Sequence, residues 1–339
     1  MEPILFVPII LSFFVSLLSI PYWIKKTKKV GLVWEDMNKP SRPKIPGSGG
    51  VIVVMGFVLG VLSYIAIKIF VLKTDTTIVQ IFALLAAVLI SALVAFTDDI
   101  FGWQHGGLSV KLRLLLIFLA AVPLMVINAG YSTIAIPFMG EVSLGLLYPL
   151  LIIPIGIIGA TTTFNFLAGY NGLEAGQGIL LLGAFSIVAF LTGNSWLTLI
   201  GLCMIASLAA FLIFNKFPAQ VFPGDVLTYS TGILLAIFAI LGNFEKIAVF
   251  FFIPYILETV LKVRGKLKKQ SFGKPKKDES LDLPYKKIYG LEHLAILMLK
   301  KIKRNGKVYE KDVVYFVHFI QITVVILGLI IFKNNLVVK

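Results

Sequence analysis

Ten predominantly apolar stretches recur along the chain, at 4–22, 49–72, 78–97, 113–129, 147–163, 177–193, 196–214, 226–241, 246–262 and 313–333. Each approaches the roughly 20 residues that a helix needs to cross a bilayer. The sequence therefore predicts an all-α polytopic membrane protein, a single integral membrane domain over 1–339 with about ten transmembrane helices. Its 58% apolar residues and mean hydropathy of +0.95 lie well beyond the roughly 45–50% of a soluble domain. The first stretch is expected to stay as a mature helix, because Met1 to Leu5 carries only Glu2 and lacks the basic start and small-residue cleavage site of a signal peptide. The lone Cys203 falls inside the seventh stretch, which excludes an intrachain disulfide and a cysteine metal cluster.

Charge then orients the helices. Of the 31 Lys and Arg, 26 lie in the alternating loops 23–48, 98–113, 164–176, 215–225 and 262–312. The positive-inside rule makes those loops cytoplasmic and puts both termini outside; a multi-pass protein of the cell membrane with its active site on the cytoplasmic face is expected. The lysines at 25–29 are expected to hold helix ends against anionic lipid; the net charge of +14 is thereby spread along a membrane face, and no nucleic-acid partner is expected. On the opposite face, residues 130–146 alternate apolar and polar and read as a small external β-hairpin.

Against this background the polar islands stand out. Phe164–Gln177 (FNFLAGYNGLEAGQ) interrupts two apolar runs with Asn165, Asn171, Glu174 and three closely spaced glycines, Gly169, Gly172 and Gly176. Glycines let the backbone turn tightly and approach a ligand while the amides and carboxylate bind it; the plainer reading is a polar connector between helices. Residues 23–48 carry three Pro, so an extended, ordered loop is expected over their second half, and Gly47, Gly49 and Gly50 leave room for a nearby backbone or ligand. Asp98 and Asp99 end the third apolar run, where carboxylates oppose the helix dipole and call for a compensating cation or a function; Lys111 and Arg113 follow close behind. Asp225 begins the eighth run. Asp98, Asp99, Asn165, Glu174 and Asp225 are thus distant in sequence yet fall at one membrane face, a set of hard oxygen ligands suited to Mg²⁺, which takes one or two carboxylates together with water and substrate phosphates. The sixteen Lys and Arg of 262–312 suit a lipid-surface patch or an anion clamp. An amphipathic stretch over 288–302 contains His293, for which a structural role is favoured over a catalytic one.

Taken together, DMNKPSRPKIPGSGGV (36–51), FTDDIFG (96–102), NFLAGYNGLEAGQ (165–177), FPGD (222–225) and the ten-span count resemble the polyprenyl-phosphate N-acetylhexosamine-1-phosphate transferases, specifically the archaeal and eukaryotic branch acting on dolichyl phosphate. The resemblance implies Mg²⁺-dependent transfer of N-acetylglucosamine 1-phosphate from UDP-N-acetylglucosamine to a dolichyl or polyprenyl phosphate, with release of UMP, as a first membrane step of lipid-linked glycan assembly for N-glycosylation. It further implies that Asn165 and Asp225 bind the metal and that Asp98 and Asp99 form the essential acidic pair. Substrate contacts are implied at Asp36, Met37, Asn38, Lys39, Lys111, Arg113, Asn171, Gly172, Glu174, Lys268 and Lys269. Among these, Asn171 with the Asp36–Met37 region matches the uridine pocket, and Arg113, or alternatively Lys111, matches a basic residue on the nucleotide diphosphate. The chain departs from the family pattern at Thr162, where Asn is frequent, and at Gly47, where Glu is common. Lys266, Lys268 and Lys269 or their neighbours replace an Arg-His-Arg cluster, and the poly-His motif of the bacterial peptidoglycan-precursor enzymes is absent, which argues against a muramyl-pentapeptide substrate. A homodimer is compatible with this reading. The competing reading is a transporter or flippase for a nucleotide sugar or lipid-linked sugar, which predicts charge near mid-membrane and an internal repeat.

Overall fold

Lipid offers no partners to backbone N–H and C=O groups, so apolar segments of this length satisfy them internally as helices. The computed structural model describes residues 2–136 and 140–336. Its long helices are α1 (Phe6–Val30), α2 (Gly50–Ala66, extended by a wider turn to Val71), α3 (Ile78–His105), α4 (Val110–Val126), α5 (Ile153–Phe166, preceded by a wide turn from Tyr148), α6 (Leu173–Leu191), α7 (Ser195–Asn215) and α8 (Gly224–Gly242), followed by α9 (Glu245–Phe251), α10 (Ile253–Arg264), α11 (Leu291–Ile302) and α12 (Glu310–Ile331). Among the described residues, eight helical segments are long and apolar enough to cross a membrane. The expected fourth and ninth spans take other forms. Helix α4 has 17 residues, about 25 Å at the α-helical rise. The ninth is broken between Phe251 and Ile253 into α9 and α10, where Pro254 has no N–H to continue the ladder.

Helix α8 is the axis of the bundle. It packs on α3 and α5 and also meets α2 and α6, and 83% of its apolar window is buried, against 22% in α1 and α12. Small residues permit this position: a Cβ on Gly232 would lie 2.8 Å from the Thr161 Cα. Outer helices α1 and α12 turn most of their surface outward, as lipid-facing helices do.

Between the helices lie three short antiparallel hairpins: β1 (Val33–Glu35) with β2 (Lys44–Pro46), β3 (Thr133–Ile136) with β4 (Gly140–Ser143), and β5 (Lys274–Pro275) with β6 (Leu281–Asp282). The first is the extended segment expected from the prolines, in the register Val33↔Pro46, Trp34↔Ile45 and Glu35↔Lys44. The second corresponds to the expected 130–146 hairpin, with Thr133 opposite Ser143; its tip, 137–139, lies outside the described residues.

The first hairpin is stitched to the start of α8. Phe222 N–H donates to Pro46 O (2.7 Å), Gly49 N–H to Phe222 O (2.9 Å) and Gly50 N–H to Pro223 O (2.8 Å). A Cβ on Gly50 would come within 2.3 Å of the Leu227 nitrogen. The glycines opening α2 therefore make room for the neighbouring backbone of α8, and the loop after β2 is held against the helix end that carries Asp225.

Candidate active site

The ends of α3, α5, α6, α7 and α8, the first hairpin and the segment after α10 enclose a cavity of about 420 Å³. Asp36, Met37, Asp99, Asn165, Asn171, Glu174 and Asp225 line it, as do Trp34, Phe222, Thr228 and Phe272. A smaller cavity of about 220 Å³ adjoins it, lined by Trp34, Asp98, Asp99, Gly102, Gly106, Gly107, Leu108, Arg113 and Asp225. Trp34, Asp99 and Asp225 belong to both.

The two acidic neighbours of α3 are used differently. Asp98 Oδ1 accepts the Leu108 N–H at 2.5 Å and Oδ2 accepts Arg113 Nη1–H at 3.0 Å, so Asp98 fixes the turn between α3 and α4 and aims the guanidinium. Asp99 Oδ1 accepts the N–H of Asp225 at 2.9 Å, capping the first turn of α8 from another helix. Asp99 Oδ2 is buried with no hydrogen-bond partner. Gly224, at φ +67°, brings α8 this close: a Cβ there would fall 2.2 Å from that free oxygen. Half-buried Asp225 faces Arg113 at 3.9 Å, too long for a hydrogen bond. On the other wall Asn165 Oδ1 accepts from the Thr228 hydroxyl at 2.7 Å, which sets the amide's orientation and leaves its oxygen a second lone pair.

The loop residues form a second network, closed except at one Glu174 oxygen. Asp36 accepts the Asn38 N–H (3.2 Å), the Asn171 side-chain amide (3.2 Å) and the Lys39 ammonium. Glu310, at the start of α12, accepts the Asn171 N–H at 2.8 Å and lies 3.5 Å from Lys39 Nζ. Asn38 donates to Gly169 O (2.8 Å) and accepts from Gly273 N–H (3.1 Å). Glu174 Oε1 accepts the Gly169 N–H at 2.7 Å, while its buried Oε2 has no partner. Gly172, at φ +86°, supplies the left-handed residue that starts α6. These contacts bind the first loop, the α5–α6 loop and the last loop together. Phe272 is held by the last loop against Gly169, and the Tyr170 hydroxyl donates to Ser271 O at 3.3 Å. Burial raises the Tyr170 phenol well above its ordinary range, keeping it a neutral donor.

The structure brings together most, not all, of the residues singled out from sequence. Lys111 is exposed and lines neither cavity, whereas Arg113 lines the smaller one. Lys268 and Lys269 are exposed and line neither; the Lys269 ammonium lies 4.8 Å from the Tyr285 ring centre. His293 is fully buried in α11, its Nδ1 facing the Tyr289 N–H at 3.3 Å; burial lowers its pKa to about 4, so it packs as a neutral imidazole. Sequence reasoning missed Trp34, Phe272 and Glu310. Each is an ordinary aromatic or helix-start carboxylate locally, and only partners far away in the chain reveal its place.

Residues 81–243, the segment from α3 to α8 that carries the acidic cluster, match glycosyl transferase family 4. A relative from Saccharolobus solfataricus is 38% identical over 297 residues, covering 86% of this chain and 87% of that protein. The chain belongs to this family. A Sulfolobus acidocaldarius relative is 31% identical over 324 residues, 95% of this chain and 94% of its own. A Dictyostelium discoideum protein, named UDP-N-acetylglucosamine–dolichyl-phosphate N-acetylglucosaminephosphotransferase, is 27% identical over 284 residues, 72% of this chain and 68% of its own. Both archaeal relatives are named provisionally for the same activity. Glycosyltransferase chemistry in a membrane setting is thus established for the family's fold, and phosphotransferases of this type use a divalent metal.

The acidic cluster fits such an ion. The free Asp99 oxygen, the Asp225 carboxylate and the Asn165 amide oxygen are hard donors lining one cavity. Among the described residues no group of three or more His, Cys, Asp or Glu forms a ready metal cage.

Proposed function

We propose that the chain transfers N-acetylglucosamine 1-phosphate from UDP-N-acetylglucosamine to dolichyl or another polyprenyl phosphate, releasing UMP, with Mg²⁺ as its cation. The observation that carries this reading is the junction of two cavities at a buried carboxylate oxygen with no protein partner, Asp99 Oδ2, beside Asp225 and Arg113. The larger cavity, walled by Trp34, Phe222 and Phe272 and by the amides of Asn165 and Asn171, suits a nucleotide sugar. The smaller one, with Arg113, suits the phosphate of the lipid acceptor.

The chemical difficulty is repulsion between two anions. Mg²⁺ would be held by Asp99, Asp225 and Asn165, and when bound it supplies charge neutralisation at the diphosphate. Arg113, aimed by Asp98, adds fixed positive charge in the smaller cavity, where it offsets the charge of the incoming acceptor phosphate. A lipid monophosphate has a second pKa near 6, so the nucleophile is already ionised at neutral pH and needs no strong base. Its oxygen attacks the β-phosphorus in line as the bond to the bridging oxygen of UMP breaks. Asp98 and Asp99 orient groups around that event.

The reading is tested with purified protein, Mg²⁺, dolichyl phosphate and a panel of UDP-sugars. UMP release that requires both substrates and prefers UDP-N-acetylglucosamine is expected; no release with either dolichyl phosphate or a fully unsaturated polyprenyl phosphate overturns it. Nothing in the fold or the relatives favours the transporter alternative. The site opens to the cytoplasm in this reading, because 26 of 31 basic residues share its face. A cysteine placed at the exposed Lys277 is expected to react with an impermeant maleimide only after the cells are opened.

A further inference from the structure

Trp34 sits where the two cavities meet, and among the described residues it is the one apolar side chain lining both. Its place depends on the strand opposite. A Cβ on Gly47 would lie 1.9 Å from the ring Cζ3 and 2.1 Å from Cε3, distances no pair of non-bonded carbon atoms tolerates, so the indole occupies the space that any other residue at 47 would fill. Gly47 cannot move aside. Its N–H donates to Leu32 O at 3.2 Å and its carbonyl accepts Trp23 Nε1–H at 3.0 Å. Nor does Gly47 have a positive φ, since it is absent from the left-handed glycines. Room for the ring is therefore the physical demand this glycine answers.

We propose that Trp34 is a positioning residue that, resting on Gly47, shuts water out of the junction where the donor diphosphate meets the acceptor phosphate. The inference rests on the transferase reading above. Water and the lipid phosphate are rival nucleophiles for the same β-phosphorus. Attack by water breaks the same bond to UMP and gives free N-acetylglucosamine 1-phosphate, with the water's proton passing to solvent. The acidic residues at the junction do not repel water; the apolar indole does, and excluding water from an active site suppresses such side reactions. Asp99 and Asp225, the other two residues common to both cavities, hold the reacting groups from the polar side. Trp34 acts through the geometry they share.

The test measures two products from the purified protein with Mg²⁺ and UDP-N-acetylglucosamine: phosphosugar-lipid with dolichyl phosphate present, and free sugar phosphate. Trp34→Ala is expected to lower the transfer-to-hydrolysis ratio by about tenfold or more, and Trp34→Phe to keep it within about threefold. Gly47→Ala, which displaces the ring, is expected to mimic Trp34→Ala. The double variant should be no worse than Trp34→Ala alone, because the added methyl acts only through the ring. Thermal unfolding is followed in parallel, and a variant that does not fold is replaced by the milder Trp34→Leu. A merely structural Trp34 would lower both products together and leave the ratio unchanged, which overturns the proposal; so does a Gly47→Ala effect that adds in full to Trp34→Ala. A parent protein that forms no lipid product overturns the activity itself, and this assignment with it.

Discussion

Two polar clusters sit side by side at one end of this bundle, and they differ in what they leave unsatisfied. In the loop cluster the Asp36 carboxylate has three partners, both ends of the Asn38 amide are engaged, and Asn171 and Lys39 are tied to Glu310. At the helix ends Asp99 keeps a buried free oxygen and Asp225 has only a distant guanidinium. Buried polar groups are normally paired, so the loop cluster, satisfied at every carboxylate but Glu174, reads as a clamp between loops, and the open one as a place that a ligand completes. Acidic and amide residues look alike in sequence; partner geometry separates the clamp from the site.

The difference is broken most directly at Asp225. Asp225→Asn keeps the shape and removes the charge, and turnover is expected to fall by about 10²–10³-fold, the scale seen when one preorganised electrostatic group is lost. The thermal midpoint should hold, since Arg113, at 3.9 Å from the carboxylate, lies beyond hydrogen-bond reach. Activity within tenfold of the parent enzyme, measured as UMP release, would take Asp225 out of the site.

Asp99 and Asp98 sharpen the contrast within one helix turn. Asp99→Asn is expected to slow transfer by about a hundredfold, and Asp98→Asn by about tenfold, because Asp98 acts through Arg113. Direct attack further requires that no phosphosugar become protein-bound without the lipid acceptor. The enzyme is incubated with Mg²⁺ and UDP-N-acetylglucosamine labelled at the β-phosphate and then examined for hydroxylamine-sensitive label. Stoichiometric label that disappears in one Asp→Asn variant would establish a covalent route instead.

The closed cluster should fail in the other currency, stability. Asp36→Ala leaves Lys39 with Glu310 as its one remaining carboxylate partner among the described residues and frees the Asn171 amide, at a cost of about 2–3 kcal/mol. A lower thermal midpoint and a raised KM for the nucleotide sugar are expected, with kcat changed less than in Asp225→Asn. If kcat collapses while the midpoint holds, Asp36 belongs to the open cluster.

Much of this was legible beforehand, and the limits have physical causes. Long apolar runs announce membrane helices because lipid imposes one solution on the backbone, yet α4 and the broken α9–α10 pair show that a run does not fix length or continuity. Asp99, Asn165 and Asp225 could be placed together because each interrupts a run at the same face. Their unequal roles could not, since whether Asp98 or Asp99 keeps a free oxygen depends on Leu108, Arg113 and the N–H of Asp225. Glu310 meets Asn171 across 139 positions, and no local pattern encodes that pairing. Gly47 was visible as a departure from the family pattern, while the indole that fills its place was not.

The smallest effect is expected where charge was read most generously. The last loop is rich in lysine, which suits a lipid-surface patch or an anion clamp, and the family resemblance implies substrate contacts at Lys268 and Lys269. In the structure both are exposed, and Lys269 lies 4.8 Å from the Tyr285 ring centre and 5.9 Å from that of Tyr289. Such an exposed cation–π contact contributes about 0.5–1 kcal/mol, so Lys269→Ala should lower the thermal midpoint slightly. Turnover in Lys268→Ala, Lys269→Ala and Lys111→Ala should stay within about threefold, the scale of a screened surface charge, whereas Arg113→Ala, which removes the cation lining the smaller cavity, should cost far more. The comparison is made at two salt concentrations, because screening would shrink any remaining lysine effect. A loss above tenfold in Lys269→Ala would mean that the ammonium leaves the tyrosines for the donor phosphates, with the last loop closing over the larger cavity when substrate binds.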